Sequence, residues 1–451
     1  MARLFGTDGV RGIANKELTA ALAYDLGVAG GFVLGENIRG KRPVVVIGKD
    51  TRLSGDMLED ALSAGLLAMG CDVVRIGVIP TPGIAYLTQD MGASAGVVIS
   101  ASHNTFEYNG IKFFNSEGFK LADELEDEIE EIVISGRDVN SHITGALVGR
   151  VIEKTDDALH RYSDFLAATV KHDISDMKIV VDCANGAAYR TAKRVFKHLN
   201  ANIIAIGDKP DGLNINEESG STHPENLQKR VIKEGADLGL AFDGDADRLI
   251  ACDEKGELVD GDKLMFICAK QMKAEGLLEN NLLTATSMSN LGLAEALANN
   301  GIELQRADVG DRYVLEMMKK TGSVLGGEQS GHIIFLRENT TGDGIFAALR
   351  LIEAIKLSGA KASELSSEVK IYPQVLKGAA VKNENKYNYD KDEKICAAID
   401  KVVADMDGKG RVLIRPSGTE PLVRVMLEGS NEKELNKLAD GLVKLIESRL
   451  R

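Results

Sequence analysis

Lys178-Ile-Val-Val-Asp182 is followed by the turn Cys183-Ala-Asn-Gly186, by a helical segment that runs to Leu199, and by Asn202-Ile-Ile-Ala-Ile206. The first and last of these segments are short apolar runs rich in β-branched residues, so they predict two buried strands. Because two strands separated by one helix form a parallel pair with a crossover connection, this stretch predicts an α/β fold.

The same order of strand, helix and strand occurs at two other places. The segments are Val44–Ile47, Gly55–Met69 and Asp72–Ile76 near the amino terminus, and Leu282–Thr286, Leu291–Asn299 and Glu303–Arg306 further along. In each copy the first strand runs into a small polar turn, as in Gly48-Lys-Asp-Thr-Arg52 and Ser287-Met-Ser-Asn290. We infer one α/β unit that is used three times, each time with a mostly parallel sheet.

The chain is too long, at 451 residues, to fold around a single core. An amphipathic helix at Glu153–Val170, a turn at Glu254-Lys-Gly-Glu257 and the segment Val369–Pro373 mark the expected boundaries. We predict three similar mixed α/β domains at residues 1–152, 153–255 and 256–369. Residues 370–451 have a different order of predicted elements, namely strand, helix, two strands and helix, which predicts a smaller α+β domain.

The composition argues against several classes of function. The net charge is −14 and no run is rich in Lys and Arg, which disfavours a nucleic-acid-binding surface. No segment approaches the length of a membrane span, and the five scattered cysteines lack a C-x-x-C spacing, a pattern typical of free thiols in a reducing compartment. We therefore expect a cytoplasmic protein that binds neither nucleic acid nor a membrane.

Ser102 lies just beyond the apolar run Ala95–Ser100 and is followed by His103 and Asn104. The run predicts a buried strand, and ligand crevices open at the carboxyl ends of such strands. No G-x-S-x-G elbow accompanies Ser102, and one interpretation is that its hydroxyl carries a phosphoryl group, with His103 and Asn104 shaping the loop. A turn that satisfies only its own backbone groups is the alternative.

The segment Asp243-Gly-Asp-Ala-Asp247-Arg248 places three carboxylates at alternate positions around small residues. Such oxygen ligands suit a hard cation, Mg²⁺ or Ca²⁺. Together with Ser102, they indicate phosphoryl transfer through a phosphorylated serine beside a divalent ion, with Arg248 as a second positive group. A solvated acidic turn is the alternative.

A calcium EF-hand is a rival interpretation of this acidic loop, because Glu254 is the twelfth residue counted from Asp243. Against it, Arg248 stands at the position where the EF-hand turn needs Gly. The flanks Leu238–Phe242 and Leu249–Cys252 also predict strands, whereas an EF-hand needs helices.

Other segments suit a phosphorylated sugar. Gly326-Gly-Glu-Gln-Ser-Gly-His332 offers donors and acceptors for hydroxyls, and the segment from Arg415 to Arg424 combines two arginines with two hydroxyls in a phosphate cradle that is not a Walker loop. Arg11, in a glycine-rich turn, and Lys112, on a predicted strand, could neutralise phosphate charge or move a proton. Ordinary polar turns and solvated charges are the alternatives.

Five motifs, taken in order along the chain, resemble those of the α-D-phosphohexomutase superfamily, and most closely those of its phosphoglucosamine mutase branch. They are Phe5-Gly-Thr-Asp-Gly-Val-Arg11, Ile99-Ser-Ala-Ser-His-Asn104, Asp243-Gly-Asp-Ala-Asp-Arg248, Gly327-Glu-Gln-Ser-Gly-His332 and Arg415-Pro-Ser-Gly-Thr-Glu-Pro421. The resemblance implies a heart-shaped protein, with three similar mixed α/β domains and a smaller carboxy-terminal α+β domain around a central cleft. It also implies one Mg²⁺ per active site, a hexosamine 1,6-bisphosphate activator and a small-molecule sugar phosphate as substrate, and it allows a homodimer.

The same resemblance assigns the site residues. The implied catalytic residues are Ser102, Arg11, His103, Lys112 and Arg248, the metal ligands are Ser102, Asp243, Asp245 and Asp247, and the substrate-binding residues are Glu328, Ser330, His332, Arg415, Ser417, Gly418, Thr419 and Arg424. Ser102 would be the phosphoserine, and Arg415 to Thr419 would hold the phosphate that is not transferred. Lys112, Arg11 and His332 are candidates for the general acid and base.

The implied reaction interconverts glucosamine 6-phosphate and glucosamine 1-phosphate through phospho-Ser102 and an enzyme-held 1,6-bisphosphate, and would feed amino-sugar nucleotide synthesis for a bacterial cell wall. A phosphoglucomutase or phosphomannomutase stays open, because one carboxylate serves a hydroxyl as well as an ammonium group. A non-catalytic cation- or sugar-phosphate-binding protein would not need Ser102, and a phosphatase would pass the phosphate to water. Thr105 stands where the superfamily usually has Pro, which changes the stiffness of the loop and no ligand group.

Overall fold

The computed structural model describes residues 3–6, 8–36, 42–139, 143–406, 408, 410–417 and 420–451. The chain divides into two compact units, one of Met1–Met288 with Ile302–Ser367 and one of Ser289–Gly301 with Glu368–Arg451. Over the described ranges, no helix combines the length and the apolar character that crossing a bilayer requires. All five cysteines are free, as expected, and four of them are buried.

The first sheet has six strands. Its region contains, in chain order, β1 (Val10–Ile13), α1 (Ala20–Glu36), β2 (Val44–Lys49), α2 (Gly55–Ala68), β3 (Asp72–Val78), α3 (Thr81–Asp90), β4 (Ala95–Ile99), β5 (Tyr108–Asn115), α4 (Asp123–Ser135) and β6 (Val151–Glu153). The strand order is β1-β5-β4-β2-β3-β6, and of these six strands only β5 runs against the others. All of β4 is buried, as its unbroken apolar sequence predicts.

The second sheet follows the helix α5 (Thr155–Ala168). Its elements are β7 (Lys178–Asp182), α6 (Ala188–His198), β8 (Asn202–Ile206), α7 (Glu225–Glu234), β9 (Leu238–Phe242), β10 (Leu249–Asp253) and β11 (Leu258–Val259). The order is β11-β10-β9-β7-β8, with β7, β8 and β9 parallel and β10 antiparallel to β9.

The third sheet has four strands. The elements from here to residue 366 are α8 (Gly261–Ala274), β12 (Leu282–Thr286), α9 (Leu291–Asn299), β13 (Glu303–Ala307), α10 (Asp311–Thr321), β14 (Leu325–Gly327), β15 (Ile333–Phe335), α11 (Gly344–Ser358) and α12 (Ala362–Ser366). The order is β13-β12-β14-β15, and only β15 is antiparallel to its neighbour.

These three sheets share one topology, which confirms the repeated α/β unit. In each, the first strand lies between the second and the third, all three run parallel, and a fourth strand returns as a hairpin beside the third. The hairpins are β4–β5, β9–β10 and β14–β15. The three hairpin turns are therefore equivalent places in the repeat, at the carboxyl ends of parallel strands where ligand sites form.

The carboxy-terminal sheet is different. It consists of β16 (Gln374–Ala380), β17 (Gly410–Pro416) and β18 (Leu422–Gly429), with the helices α13 (Glu393–Asp405) and α14 (Glu432–Leu450). The order β16-β18-β17 is antiparallel throughout, which confirms the predicted α+β domain. Apolar residues of the sheet and of both helices form one buried cluster.

The predicted elements agree with the structure except at some ends. The strands predicted at Lys178–Asp182 and Leu282–Thr286 have those bounds, whereas the helix predicted to begin at Gly186 begins at Ala188. Ala184 and Asn185 have φ of 54° and 48°, so the turn before this helix is left-handed and delays its start. The three domain boundaries given above stay a prediction.

Candidate active site

Ser102 occupies the turn of the β4–β5 hairpin in a left-handed conformation, with φ of 51°, and only 2% of it is exposed. Its Oγ donates to Asp243 Oδ2 at 2.8 Å, and its backbone N–H donates to Ser100 Oγ at 2.9 Å. A left-handed serine costs energy, so the surrounding contacts must hold it there. The structure thus brings Ser102 against the acidic loop, as predicted.

One buried guanidinium grips the backbone of this loop. Arg52 donates to the carbonyl oxygens of Ser102 at 2.9 Å and Asn104 at 2.8 Å, and also to those of Thr105 and Tyr108. Asp50 pairs with Arg52 at 2.8 Å, and neither side chain is exposed. The expected loss of stiffness at Thr105 is therefore offset, because its carbonyl is held from the turn after β2.

Asn216 of the second α/β region holds the same loop from the other side. Its Nδ2 donates to the carbonyl oxygens of Ser102 and Asn104, each at 2.9 Å. A side chain more than a hundred residues away in sequence therefore fixes the position of Ser102 relative to the acidic loop.

We predict that Arg52→Met lowers kcat at least about 100-fold, because the loop that carries Ser102 would lose its main constraint and a displacement of about 1 Å has this cost. Thermal unfolding should occur at a lower temperature as well, because Asp50 is left buried without its partner. Arg161→Met, which removes an exposed arginine paired with Asp90 and Asp157, is the matched control. A wild-type kcat in Arg52→Met would show that the hydrogen bonds of Arg52 to the Ser102 loop are not needed for turnover.

Asp243, Asp245 and Asp247 form the acidic triad, and they lie in the turn of the β9–β10 hairpin. All three are buried, and one carboxylate oxygen of each lies within 4.8 Å of the others. Asp245 Oδ1 and Asp247 Oδ1 have no hydrogen-bond partner among the described residues. Buried carboxylate oxygens in this arrangement repel one another unless a cation joins them, so the residues present fit a divalent metal ion.

The groups around the triad shift the pKa values of Asp243 and Asp247 in opposite directions. Burial raises the pKa of Asp243, and the charges of Asp247 and Asp245 raise it further. Burial opposes the ionisation of Asp247 too, but His332 and Arg248 outweigh it and hold its pKa well below the usual range. Thr81 Oγ1 donates to Asp245 Oδ2 at 2.7 Å and fixes that carboxylate.

The EF-hand interpretation is wrong. The acidic loop joins two antiparallel strands, β9 and β10, and no helix flanks it. Glu254, the would-be twelfth ligand, instead accepts hydrogen bonds from the hydroxyl and backbone N–H of Ser363, at 2.6 and 3.3 Å.

Gly244 allows the two loops to approach each other. A Cβ at this position would lie 2.5 Å from the carbonyl oxygen of Ser102. We predict that Gly244→Ala destabilises the protein by about 1–3 kcal/mol through overpacking and lowers kcat by tenfold or more, roughly the cost of a small misplacement of Ser102. Gly441→Ala in α14, where a Cβ meets nothing within 4 Å, should change neither. Equal behaviour of the two variants in a kinetic assay would count against this close approach.

Cationic and imidazole groups lie around Ser102 and the acidic triad. Arg248 NH1 lies 3.2 Å from His103 Nδ1, which is itself 3.4 Å from Ser102 Oγ. Because a guanidinium only donates, His103 accepts at Nδ1 and is neutral; burial, together with Arg248 and Arg11, also lowers its pKa. Lys112 is 3% exposed and lies 3.6 Å from Asp245, and Arg11 lies 3.1 Å from Asp8.

His332 lies between two carboxylates. Its Nδ1 is 3.3 Å from Asp247 Oδ2, and its Nε2 accepts from the backbone N–H of Gly342 at 3.0 Å. Burial lowers the pKa of His332, but Asp247, Asp311 and Glu328 raise it to about 9. The Gly342 N–H needs a lone pair on Nε2, so this contact describes the neutral ring with its proton on Nδ1. A cation bound at Asp247 would favour that neutral form, because it would offset the carboxylate charge.

The predicted sugar loop is the turn of the β14–β15 hairpin. Glu328 and Gln329 are half-buried and Ser330 is exposed, with Ser330 Oγ 3.4 Å from Glu328 Oε2. The backbone of this turn is joined to the acidic loop, because Leu249 N–H donates to Gly331 O at 3.0 Å. Glu328 adds to the negative charge that raises the pKa of Arg248.

The predicted phosphate cradle lies in the other compact unit, between β17 and β18. Arg415 is paired directly with Arg424 across the two strands. Ser417 is buried, and Glu420 lies 2.9 Å from Arg424. Arginine side chains at opposed positions of two strands can both donate to one phosphate group. Gly418 and Thr419 lie outside the described residues.

Some residues of the site were missed by the sequence reasoning. They are Asp8, Asp50, Arg52, Thr81, Lys120, Asn216 and Asp311. The signal for Asp50 and Arg52 was present, because their turn follows the strand that neighbours β4 in the repeat. Nothing in the sequence indicates that Asn216 or Lys120 reaches the site.

Comparison with known proteins identifies the family of the chain. Profiles of the family described as phosphoglucomutase/phosphomannomutase match the chain, its alpha/beta/alpha domains I, II and III at residues 2–139, 160–256 and 260–372 and its C-terminal domain at 377–445. A curated relative named phosphoglucosamine mutase, from Clostridium botulinum (strain Kyoto / Type A2), is 55% identical over 451 residues and covers 100% of both chains. Another of that name, from Alkaliphilus oremlandii, is 55% identical over 450 residues with the same coverage. The crystal structure of a phosphoglucomutase/phosphomannomutase family protein from Burkholderia thailandensis superimposes with a TM-score of 0.81 at 26% identity, covering 99% of this chain and 97% of that one.

The fold and the site therefore define an enzyme of the isomerase class, a mutase. The chain belongs to the phosphoglucomutase/phosphomannomutase family, and a sugar phosphate substrate is consistent with its relatives.

Proposed function

We propose that this chain interconverts glucosamine 6-phosphate and glucosamine 1-phosphate, with Ser102 as the residue that carries the phosphoryl group. The observation that carries the proposal is the contact of Ser102 Oγ with Asp243, 2.8 Å apart, at the edge of the buried acidic triad. A phosphoryl group on this hydroxyl would stand beside the three carboxylates. The choice of glucosamine is supported by the full-length relatives, which are 55% identical and bear that name.

The acidic triad would hold one Mg²⁺ together with an oxygen of phospho-Ser102, and this ion would offset negative charge on the transferring group. In the first transfer the bond from phosphorus to Ser102 Oγ breaks and a bond to the free sugar hydroxyl forms, which gives the 1,6-bisphosphate. The proton of that hydroxyl passes to a base of the protein. After the bisphosphate turns over, its other phosphoryl group returns to Ser102 Oγ, and the sugar oxygen takes up a proton.

Of the candidates, Lys112 is the one that we propose moves this proton, because the Arg11 guanidinium has no acceptor and would instead offset phosphate charge. Both ring nitrogens of His332 are engaged, by Asp247 and by Gly342, so His332 would have to give up a hydrogen bond to accept a proton. Arg248 would stabilise the negative charge of the transferring group, because it lies within hydrogen-bond range of His103 beside Ser102.

The remaining residues would bind the substrate. Glu328, Ser330 and His332 come from the third α/β region, where Glu328 and Ser330 offer groups for sugar hydroxyls. Arg415, Ser417 and Arg424 would hold the phosphate that is not being transferred, in keeping with their cross-strand cation pair. A homodimer, a cytoplasmic location and the absence of nucleic-acid and membrane partners stay predictions.

A mutase assay tests the proposal. Glucosamine, glucose and mannose 6-phosphates are compared in the presence of Mg²⁺ and a trace of the matching 1,6-bisphosphate. A strong preference for glucosamine 6-phosphate is expected. A preference for glucose or mannose would overturn the substrate and keep the mechanism, and no conversion of any of the three by a folded, phosphorylated sample would overturn both.

A further inference from the structure

A row of alternating charges leads away from the acidic triad. Lys112 Nζ lies 3.6 Å from Asp245 Oδ2 and 3.9 Å from Asp8 Oδ1. Lys120 Nζ lies 2.7 Å from the same oxygen of Asp8 and 2.5 Å from Asp311 Oδ2. The order of charges is therefore negative, positive, negative, positive and negative, from Asp245 to Asp311.

Asp8 is shared by three cations. Arg11 approaches its second oxygen to 3.1 Å, while Lys112 and Lys120 approach the first. Burial opposes the ionisation of Asp8, but Lys112, Lys120 and Arg11 outweigh it and hold the pKa of Asp8 well below its usual range. The carboxylate that sets the positions of Arg11 and Lys112 is thus the same one that Lys120 binds most closely.

Lys120 also ties together three parts of the chain. Asp8 belongs to the glycine-rich turn before β1, Lys120 follows β5, and Asp311 is the first residue of α10. Burial would lower the pKa of Lys120, but Asp311 and Asp8 raise it, so its amino group stays charged. At the far end of the row, Asp311 Oδ2 lies 3.7 Å from His332 Nε2.

Removal of the Lys120 charge would leave Asp8 and Asp311 facing each other, because both now contact the same nitrogen. Each carboxylate would then need another cation. The other cations of Asp8 are Arg11 and Lys112, so Lys112 would move toward Asp8 and away from Asp245. The row therefore couples a residue outside the triad to the placement of two proposed catalytic cations.

We propose that Lys120 is a positioning residue that, by holding Asp8 and Asp311, fixes where Lys112 stands beside Asp245 of the acidic triad and where Arg11 stands beside Asp8. This inference rests on the proposed function. In the described part of the chain, the ion pairs of Lys120 are with Asp8 and Asp311 and not with Ser102 or the triad, so it acts through other side chains.

The test compares Lys120→Met, which removes the charge and keeps an unbranched side chain, with Lys120→Arg, which keeps the charge. We expect Lys120→Met to lower kcat at least about tenfold, with KM changed less than about threefold, because the loss concerns the reacting groups. Lys120→Arg should recover most of the lost kcat. Lys319→Met is the matched control, since Lys319 is exposed and stands over the ring of Phe119.

A second readout does not depend on turnover. In the absence of substrate, the affinity of the protein for Mn²⁺ should rise about fivefold in Lys120→Met. The reason is that one positive charge near the triad is lost and that Lys112 moves away from Asp245. A merely structural role would loosen the site and weaken Mn²⁺ binding. If the wild type converts no sugar phosphate, the proposed function fails, and the Mn²⁺ affinity still decides the role of Lys120.

A double variant covers the case in which Lys120→Met folds poorly. Asp8→Asn combined with Lys120→Met removes both charges, and its kcat should be no lower than that of Asp8→Asn alone if Lys120 acts through Asp8. A loss of kcat in the double variant as large as the losses of Asp8→Asn and Lys120→Met combined would overturn the proposal. So would a wild-type kcat in Lys120→Met, or equal impairment of Lys120→Met and Lys120→Arg.

Discussion

Ser102→Ala should abolish mutase turnover, with a loss of roughly four to six orders of magnitude in kcat, the scale seen when a nucleophile is deleted. Alanine cannot carry a phosphoryl group, so the covalent route would be closed. The fold should survive, because the change removes one buried hydrogen bond to Asp243, worth about 1 kcal/mol. Steady-state kinetics with glucosamine 6-phosphate and a trace of bisphosphate would measure the loss.

Two controls separate lost chemistry from lost structure. Ser448→Ala, at a serine whose hydroxyl donates to Leu445 O within α14, should leave kcat unchanged. Ser102→Ala should still bind Mn²⁺, because the acidic triad remains. Appreciable mutase activity in Ser102→Ala would exclude Ser102 as the phosphoryl carrier.

Asp245→Asn should lower kcat at least about 1,000-fold, because it removes a charged ligand of the proposed metal ion, and such an ion contributes several kcal/mol of charge stabilisation. The carboxylate is buried, and its Oδ1 has no hydrogen-bond partner among the described residues, so the amide replaces the ligand with little change in shape. The affinity for Mn²⁺ should fall in parallel. Chelation of the metal should inactivate the wild type in the same way, and addition of Mg²⁺ should restore the activity of the wild type.

Asp208→Asn is the matched control for this variant, because Asp208 pairs with Lys193 at 2.9 Å, away from the acidic triad. Its kinetics and its Mn²⁺ affinity should equal those of the wild type. Full activity of metal-free Asp245→Asn would contradict a metal-dependent mechanism.

The sequence was sufficient for the repeated fold, because the first strand of each unit is a short apolar run that ends in a small polar turn and is followed by a helix and a second strand. β7 and β12 have the predicted bounds. That the motif loops of Ser102, the triad and Glu328 face one cleft was implied by the family resemblance, and their equivalent places in three hairpin turns became visible only in the structure. Loops whose residues are contiguous in sequence could be found without the structure.

The supports of those loops could not be predicted, because they arise from contacts between distant parts of the chain. Lys120 and Asp311 are 191 residues apart, and Asn216 and Ser102 are 114 apart. Such lysines and asparagines look like ordinary surface residues in the sequence. Arg52 is an intermediate case, since its turn was noticed but its contacts with four carbonyl oxygens were not expected.

Transfer of label from Ser102 tests the central claim most directly. The protein is phosphorylated with radiolabelled phosphate, the label is located on Ser102 by peptide mapping, and unlabelled glucosamine 6-phosphate is added for a single turnover. We predict that the label leaves Ser102 and appears on the sugar, as the 1,6-bisphosphate and then as a monophosphate. Release of the label as inorganic phosphate would indicate a phosphatase, and retention on Ser102 while the sugar is converted would contradict the phosphoserine mechanism.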